Sequence, residues 1–178
     1  MEGQVIWITG LSGSGKTTVA ETLRQQFIKL NVNPILLDGD ILRENFKKDD
    51  ASQESYTRKE RVALSRQYSL LCKNLSSQGF TVIVATISMF NEIYSWNRIN
   101  LPNYFEIYLN VPMQELKKRD PKNIYKRFAS GYINNVAGLD LQVDQPSEAH
   151  MIVRFKEDQT KEQIVDSILQ KLALRKIK

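Results

Sequence analysis

The chain has 178 residues and a net charge of +5, with 42% hydrophobic residues and a single cysteine, Cys72. A length of this order suits one domain with a large core, and one cysteine excludes an internal disulfide and a cysteine-rich metal site. No apolar segment is long enough to span a bilayer and no cleavable leader precedes the first apolar run, so we expect a single-domain cytoplasmic protein, residues 1–178, that does not bind membranes.

Short apolar segments alternate with amphipathic ones along the chain. Apolar runs bounded by turn residues predict strands, and helical periodicity predicts the helices between them. This alternation is typical of an α/β fold, with a mainly parallel five-stranded sheet, helices on both faces and ligands at the carboxyl ends of the strands. The predicted strands are 5–9, 35–37, 80–86, 104–109 and 151–155, and the predicted helices are 16–30, 57–77, 92–99, 113–119, 124–128 and 160–174.

The segment GLSGSGKT, residues 10–17, follows the first predicted strand and fits the pattern of a phosphate-binding loop. Its glycines let backbone N–H groups approach phosphates that side chains would keep away. We expect Lys16 to contact the β- and γ-phosphates of a nucleoside triphosphate and Thr17 to give its hydroxyl to Mg²⁺, at the positive end of the following helix. The alternative is a flexible glycine turn. The candidate triphosphate-binding residues are Gly10, Leu11, Ser12, Gly13, Ser14, Gly15, Lys16, Thr17 and Thr18.

The segment LLDGDILR puts Asp38 and Asp40 around Gly39 at the carboxyl end of the second predicted strand. Asp40 is the leading catalytic candidate, because a carboxylate there can accept a proton from an attacking hydroxyl or hold Mg²⁺ through water. Arg43 can bind an anionic group of the substrate. The alternative is an Asx turn that caps a short helix from Ile41, and both roles can hold, one for each aspartate.

The basic residues cluster in residues 117–127 and in the C-terminal tail rather than along one stripe. The sequence contains no RNA- or DNA-binding module, so we expect no nucleic-acid partner. A small polyanionic substrate is the better use of these charges.

Three blocks, WITGLSGSGKTTVA, LDGDILR and RDPKNIYKRFASGYINNVAGLD, give the chain a family resemblance. It resembles the adenylylsulfate (APS) kinases over most of its length. The resemblance implies a P-loop kinase fold with a mobile lid near residues 120–140. It also implies transfer of the γ-phosphoryl group of MgATP to the ribose 3′-hydroxyl of adenylylsulfate, and a homodimer.

The resemblance also assigns roles to single residues. Asp40 would orient or deprotonate the 3′-hydroxyl, and Lys122 in the lid would touch the bound nucleotide. Arg119 would reach the ATP side. The residues implied on the nucleotide substrate are Asp38, Arg43, Tyr56, Arg61, Leu64, Ile87, Ser88, Lys122 and Val136.

The resemblance is incomplete at three positions that it places on the acceptor side. Leu64 stands where the family has asparagine, and Asn91 stands where it usually has arginine. Val136 replaces the phenylalanine that would stack on the adenine of the substrate, so that Tyr56 is left as the aromatic residue there. The resemblance therefore defines the phosphoryl donor and the reaction type, and it leaves the identity of the acceptor open.

Two alternatives follow. A small branch that resembles APS kinases phosphorylates the 3′-hydroxyl of cytidine diphosphoramidate in surface-polysaccharide modification, and a reshaped base pocket would suit that substrate. In a different class, the chain could bind nucleotide for regulation without catalysis. The sequence argues against that class, because it lacks the guanine-reading NKxD motif and the predicted strands do not end in the aspartate of a Walker B segment.

Overall fold

The computed structural model describes residues 3–45 and 57–176, and in it five parallel strands form one sheet in the order β2-β3-β1-β4-β5. The predicted α/β fold, with its parallel five-stranded sheet, is confirmed. The strands are β1 Gln4–Thr9, β2 Ile35–Asp38, β3 Thr81–Ala85, β4 Phe105–Asn110 and β5 Met151–Arg154.

Seven helices occur in the described part of the chain, and six of them correspond to predicted helices. The seventh, α2, begins at Gly39, two residues before the start of the short helix from Ile41 that the Asx-turn alternative contained. The helices are α1 Lys16–Lys29, α2 Gly39–Asn45, α3 Arg58–Ser77, α4 Asn91–Asn100, α5 Met113–Arg119, α6 Ile124–Ala129 and α7 Lys161–Lys176.

The start of α3 is fixed by a reciprocal cap. The backbone N–H of Glu60 donates to the Thr57 hydroxyl, and the backbone N–H of Thr57 donates to the Glu60 carboxylate at 2.8 Å. Such a capping box satisfies N–H groups that the first turn leaves unpaired. The hydroxyl and acidic residue of this segment therefore serve the helix itself.

The core has one layer on each face of the sheet, because successive residues of a strand point to opposite faces. Ile6 and Ile8 of β1 pack on one side with residues of α1 and α7. Val5 and Trp7 pack on the other side with residues of α3 and α4. None of the helices in the described ranges has the length and apolarity needed to cross a bilayer.

Candidate active site

The carboxyl ends of β1, β2 and β3 open into a cleft of about 1000 Å³. The loop after β1, the turn between β2 and α2, and the segment after α5 line it. This is the edge where a parallel sheet of this kind places its ligands. The predicted site residues that line it are Ser12, Gly13, Gly15, Lys16, Thr17, Thr18, Asp38, Asp40, Arg43, Arg61, Ile87, Arg119, Lys122 and Val136.

The loop between β1 and α1 depends on glycine at two places. Gly15 has φ +91° with no neighbouring atom within 4 Å of an added Cβ, so its backbone conformation favours glycine. Gly10 has φ +153°, and a Cβ there would lie 2.8 Å from the carbonyl oxygen of Leu109 on β4. In the described residues no side chain caps the amino end of α1. Its N–H groups therefore point from the loop toward the cleft without competition from a capping side chain, as a phosphate site needs.

Lys16, the first residue of α1, lies inside the turn of this loop. Its Nζ donates to the carbonyl oxygen of Leu11 at 2.9 Å. Burial lowers the pKa of the Lys16 ammonium to about 8, although the charges of Asp40 and Asp38 oppose the shift. A phosphate group next to Lys16 would favour its charged form in the same way.

Asp38 connects the phosphate-binding loop to the turn after β2. The hydroxyl of Thr17 donates to Asp38 Oδ2 at 2.8 Å, and the backbone N–H of Asp40 donates to Asp38 Oδ1 at 2.8 Å. Asp38 therefore makes the Asx-type contact that starts α2, and the carboxylate of Asp40 is left to face the cleft. β2 extends one residue further than predicted, so that Asp38 is the last residue of the strand.

Asp40 is surrounded by positive charge. Lys122 Nζ forms a short hydrogen-bonded ion pair with Asp40 Oδ2, and Arg43 Nη1 lies 3.4 Å from Asp40 Oδ1. Burial by itself raises the pKa of the Asp40 carboxyl, but the hydrogen bond and charge of Lys122, with the charges of Arg43 and Lys16, outweigh it. The pKa of Asp40 is therefore lowered, and the group is ionised at neutral pH.

The segment from residue 120 to residue 140 packs on the phosphate-binding loop. The hydroxyl of Tyr125 donates to the carbonyl oxygen of Ser12 at 2.9 Å, and Arg119 Nη1 donates to that of Gly13 at 3.3 Å. Asp120 accepts backbone N–H groups at the start of α6, from Tyr125 at 3.2 Å and Lys126 at 3.0 Å. Sequence reasoning missed Asp120 and Tyr125. An aspartate ahead of a predicted helix is a capping signal, whereas nothing in the sequence pairs Tyr125 with the loop.

On the acceptor side, Arg61 joins α3 to this segment. Its Nη2 donates to the carbonyl oxygen of Asn135 at 2.9 Å, and Val136 beside it packs on Leu116 and Tyr125 while lining the cleft. The Asp140 carboxylate fixes this bend by accepting the backbone N–H groups of residues 135 and 136.

A second cavity of about 250 Å³ lies on the other side of the phosphate-binding loop. Arg119 and Phe155 line it together, with the Arg119 guanidinium 5.0 Å from the centre of the Phe155 ring. Ser14, Gly15 and Thr18 from the loop and the start of α1 form its floor. A flat cation stacked on an aromatic ring is a surface on which a nucleotide base can stack.

Comparison with known proteins identifies the family. The model of the family described as "Adenylylsulphate kinase" matches residues 2–154. The chain belongs to this family.

The chain is similar in sequence to two known kinases and in structure to a third. It is 42% identical over 170 residues to the cytidine diphosphoramidate kinase of Campylobacter jejuni, covering 96% of each chain. It is 36% identical over 177 residues to the adenylyl-sulfate kinase of Clostridium acetobutylicum, covering 99% of this chain and 86% of that one. It superposes with a TM-score of 0.86 and 26% identity on the APS kinase of Mycobacterium tuberculosis solved with AMPPNP and APS, covering 97% and 98% of the two chains.

As a member of the adenylylsulfate kinase family the chain is an ATP-dependent kinase. The alternative of a nucleotide-binding regulator without catalysis therefore falls away. Hydroxyl and carboxylate oxygens, as in Thr17, Asp38 and Asp40, are the ligand type that Mg²⁺ prefers. Within residues 3–45 and 57–176 no three His, Cys, Asp or Glu side chains converge on a metal position, so a metal there would draw further ligands from phosphate and water.

Several predicted site residues lie outside the main cleft. Gly10 lies close to the backbone of β4, Leu11 packs with Leu116 and Tyr125, and Ser14 lines the second cavity. Leu64 packs in the core layer under α3, and Ser88 is buried against Ser65. Tyr56 lies outside the described residues.

The departures from the family pattern are also separated by the structure. Leu64 is in that core layer, and Asn91 starts α4 with its backbone N–H donated to Asp144. Of the three departures, Val136 is the one that lines the cleft. A change in base preference would therefore depend on Val136 more directly than on the other two.

Proposed function

We propose that this protein transfers the γ-phosphoryl group of ATP to the ribose 3′-hydroxyl of a 5′-activated nucleotide. The observation that carries the proposal is the position of Asp40. Its ionised carboxylate shares one cleft with Lys16 of the phosphate-binding loop and is flanked by Arg43 and Lys122. A donor phosphate and an acceptor hydroxyl held in this cleft would meet between the loop and Asp40.

The donor is held by the loop and by the second cavity. Lys16 and the N–H groups at the start of α1 bind the β- and γ-phosphates, and the base stacks on the Arg119–Phe155 surface. Thr17 with Asp38 or Asp40 would hold Mg²⁺, which would supply charge neutralisation at the phosphates.

Asp40 orients the acceptor hydroxyl and takes its proton. The hydroxyl oxygen attacks the γ-phosphorus, the bond to the bridging oxygen of ADP breaks, and the hydroxyl proton passes to the carboxylate. A carboxylate with a lowered pKa is a weak base, but in the loose transition state of phosphoryl transfer the hydroxyl loses its proton late. Orientation by an ionised Asp40 is therefore its larger contribution, while Arg43 and Arg61 bind the 5′-linked anion.

Residues 120–140 act as a lid that keeps water from the phosphoryl group. Tyr125 connects the segment to the phosphate-binding loop, Arg119 connects the end of α5 just before the segment to the same loop, and Arg61 connects the far end of the segment to α3. Water that entered the closed site would compete with the 3′-hydroxyl and hydrolyse ATP.

Adenylylsulfate is the first candidate acceptor. The family match over residues 2–154 and the TM-score of 0.86 to a structure that contains APS support it. Its sulfate-bearing 5′ group suits the cationic side chains of Arg43 and Arg61.

Cytidine diphosphoramidate is the second candidate, and two observations favour it. The identity to the cytidine diphosphoramidate kinase is 42%, above the 36% to the adenylyl-sulfate kinase of C. acetobutylicum. Val136 lines the cleft where an aromatic residue was expected. Loss of one stacking contact removes about 1–3 kcal/mol from the free energy of base binding, and the loss would be greatest for a larger purine base.

The test measures ADP release from MgATP with each acceptor in turn, and with AMP and CDP as controls that lack the activated 5′ group. Turnover of either activated nucleotide, at a rate well above both controls, is expected, and the higher kcat/KM identifies the acceptor. The matched variant Asp40→Asn should lose roughly 100-fold or more in kcat. Its ATP affinity should fall much less, through the loss of the Asp40 charge that supports the charged form of Lys16. No acceptor-dependent ADP release with either nucleotide would contradict the proposal.

A further inference from the structure

Three buried hydroxyls follow one another between β3 and α3, beneath the turn that carries Asp40. Thr86 Oγ1 lies 2.9 Å from Ser88 Oγ, and Ser65 Oγ lies 2.7 Å from Ser88 Oγ. Each of the three residues is 5% exposed or less. We call Thr86, Ser88 and Ser65 the hydroxyl chain.

One end of the hydroxyl chain touches the turn between β2 and α2. A Cβ added to Gly39 would lie 2.8 Å from Thr86 Oγ1 and 3.0 Å from Thr86 Cβ, so the turn rests on this side chain without spare room. The hydroxyl of Tyr68 from α3 donates to the carbonyl oxygen of Gly39 at 3.4 Å. The peptide between Asp38 and Asp40 is therefore supported from below by β3 and α3.

The other end of the hydroxyl chain touches the acceptor side. Ser65 Oγ lies 2.7 Å from the carbonyl oxygen of Arg61, one turn earlier in α3. The guanidinium of Arg61 in turn donates to the backbone of Asn135 in the lid. The hydroxyl chain thus lies between the turn of Asp40 and the residue that spans from α3 to the lid.

The backbone conformation of Ser88 indicates that its hydrogen bonds to Thr86 and Ser65 do more than fill space in the core. Ser88 has φ +29°, which L residues other than Asn and Asp rarely adopt, and it holds this conformation while buried. A buried hydroxyl must be hydrogen-bonded, whereas apolar side chains of similar size would pack here without that requirement. The hydroxyl chain fixes distances that an apolar contact would leave adjustable.

We propose that Thr86, Ser88 and Ser65 are positioning residues that hold Asp40 and Arg61 at a fixed separation. The proposal rests on the function proposed above and deepens it. Misplacement of reacting groups by about 1 Å is enough to lower a rate on the order of 100-fold. A shift of a fraction of that distance, spread over the turn, lowers kcat about tenfold. ATP binding should stay unchanged, because the hydrogen bonds that these hydroxyls make in the described part of the chain join them to one another and to α3.

The test compares steady-state kinetics of Ser88→Gly and Ser65→Ala with those of the wild type. Glycine accepts the positive φ of Ser88, so this variant removes the hydroxyl without adding backbone strain. We expect kcat to fall about tenfold in each, with a KM for ATP within twofold of the wild type. Ser69→Ala is the matched control: Ser69 is buried in the same helix and donates to the carbonyl oxygen of Ser65, and its kcat should stay within twofold of the wild type.

Two substitutions of Thr86, at the other end of the hydroxyl chain, test whether a retained hydroxyl preserves activity. Thr86→Ser keeps the hydroxyl and should retain near wild-type kcat, whereas Thr86→Val keeps the shape, loses the hydroxyl and should lose about as much kcat as Ser88→Gly. Thermal unfolding of every variant is measured alongside, so that loss of fold is not mistaken for loss of positioning.

The outcomes separate the two proposals. The positioning role would be overturned by a wild-type kcat in Ser88→Gly and Thr86→Val, or by a fall in kcat accompanied by an equal-fold rise in the KM for ATP. As long as the wild type turned over an activated nucleotide, the proposed function would still stand. A wild type that binds ATP and turns over neither activated nucleotide would instead overturn the proposed function itself.

Discussion

Replacement of Gly39 by alanine tests how tightly the turn of Asp40 is held. The new Cβ would lie 2.8 Å from Thr86 Oγ1, 3.0 Å from Thr86 Cβ and 3.1 Å from the carbonyl oxygen of Ala85. Optimal carbon contacts are about 3.5–4.0 Å, so the overlap is roughly 0.5 Å or more. Ala85 belongs to β3, which is paired on both sides by β1 and β2, and so the turn must move rather than the strand.

This movement has an expected size. Overpacking of this kind destabilises a protein by roughly 1–3 kcal/mol, which lowers Tm by about 2–4 °C per kcal/mol in a chain of this length. Displacement of Asp40 by about half an ångström should lower kcat roughly 10-fold, since a full ångström costs about 100-fold. The assay is acceptor-dependent ADP release, corrected for the folded fraction at the assay temperature.

The control for Gly39→Ala is a clash of the same kind far from the cleft. Gly3 precedes β1 at the amino end of the sheet, and a Cβ there would lie 2.0 Å from the carbonyl oxygen of Phe80. Gly3→Ala should therefore reduce Tm while the folded fraction keeps wild-type kcat. If Gly39→Ala kept wild-type kcat per folded molecule, or if both variants lost activity only in proportion to unfolding, the reasoning about the turn would be refuted.

Three further predictions concern charge and the donor base. Lys122→Met removes the hydrogen bond and charge that lower the pKa of Asp40, so the acidic limb of the kcat/KM profile should move to higher pH; an unmoved limb would show that Lys122 does not control this carboxylate. Burial lowers the pKa of Lys16 to about 8, and Lys16 binds phosphate in its charged form, so ATP affinity should be full about one unit or more below pH 8 and decline through pH 8 and above. Binding at pH 8.5 should take up a proton, which calorimetry in two buffers can measure, and affinity constant up to pH 9 would contradict this. Arg119→Ala removes the cation stacked on Phe155 and should raise the KM for ATP roughly 3- to 10-fold without changing the KM for the acceptor, and an equal change in both constants would argue against a donor-base site.

The sequence predicts the strands and the phosphate-binding loop well because their signals are local. Apolar runs between turn residues mark all five strands, and the loop pattern occupies eight consecutive positions. The extra residue in β2 was missed for a local reason too. Asp38 is polar, so the apolar run ends before it, yet it still pairs with Ala85 in the sheet.

The rest of the site depends on contacts between distant residues. Thr17 meets Asp38 and Lys122 meets Asp40 through the closure of the fold, and no spacing in the sequence encodes either pair. Leu64 shows the converse. Leu64 occupies a motif position, but it lies on the face of α3 that packs against the sheet. Its side chain therefore contacts the core layer.

The most direct test of the account is to locate the transferred phosphate. The protein is incubated with MgATP and, separately, adenylylsulfate or cytidine diphosphoramidate, and the product is examined by ³¹P NMR with coupling to the ribose protons. We expect one ADP for each nucleotide phosphorylated on its 3′-hydroxyl, with one of the two acceptors preferred. Phosphate found on another oxygen, or released only as inorganic phosphate with both acceptors, would contradict it.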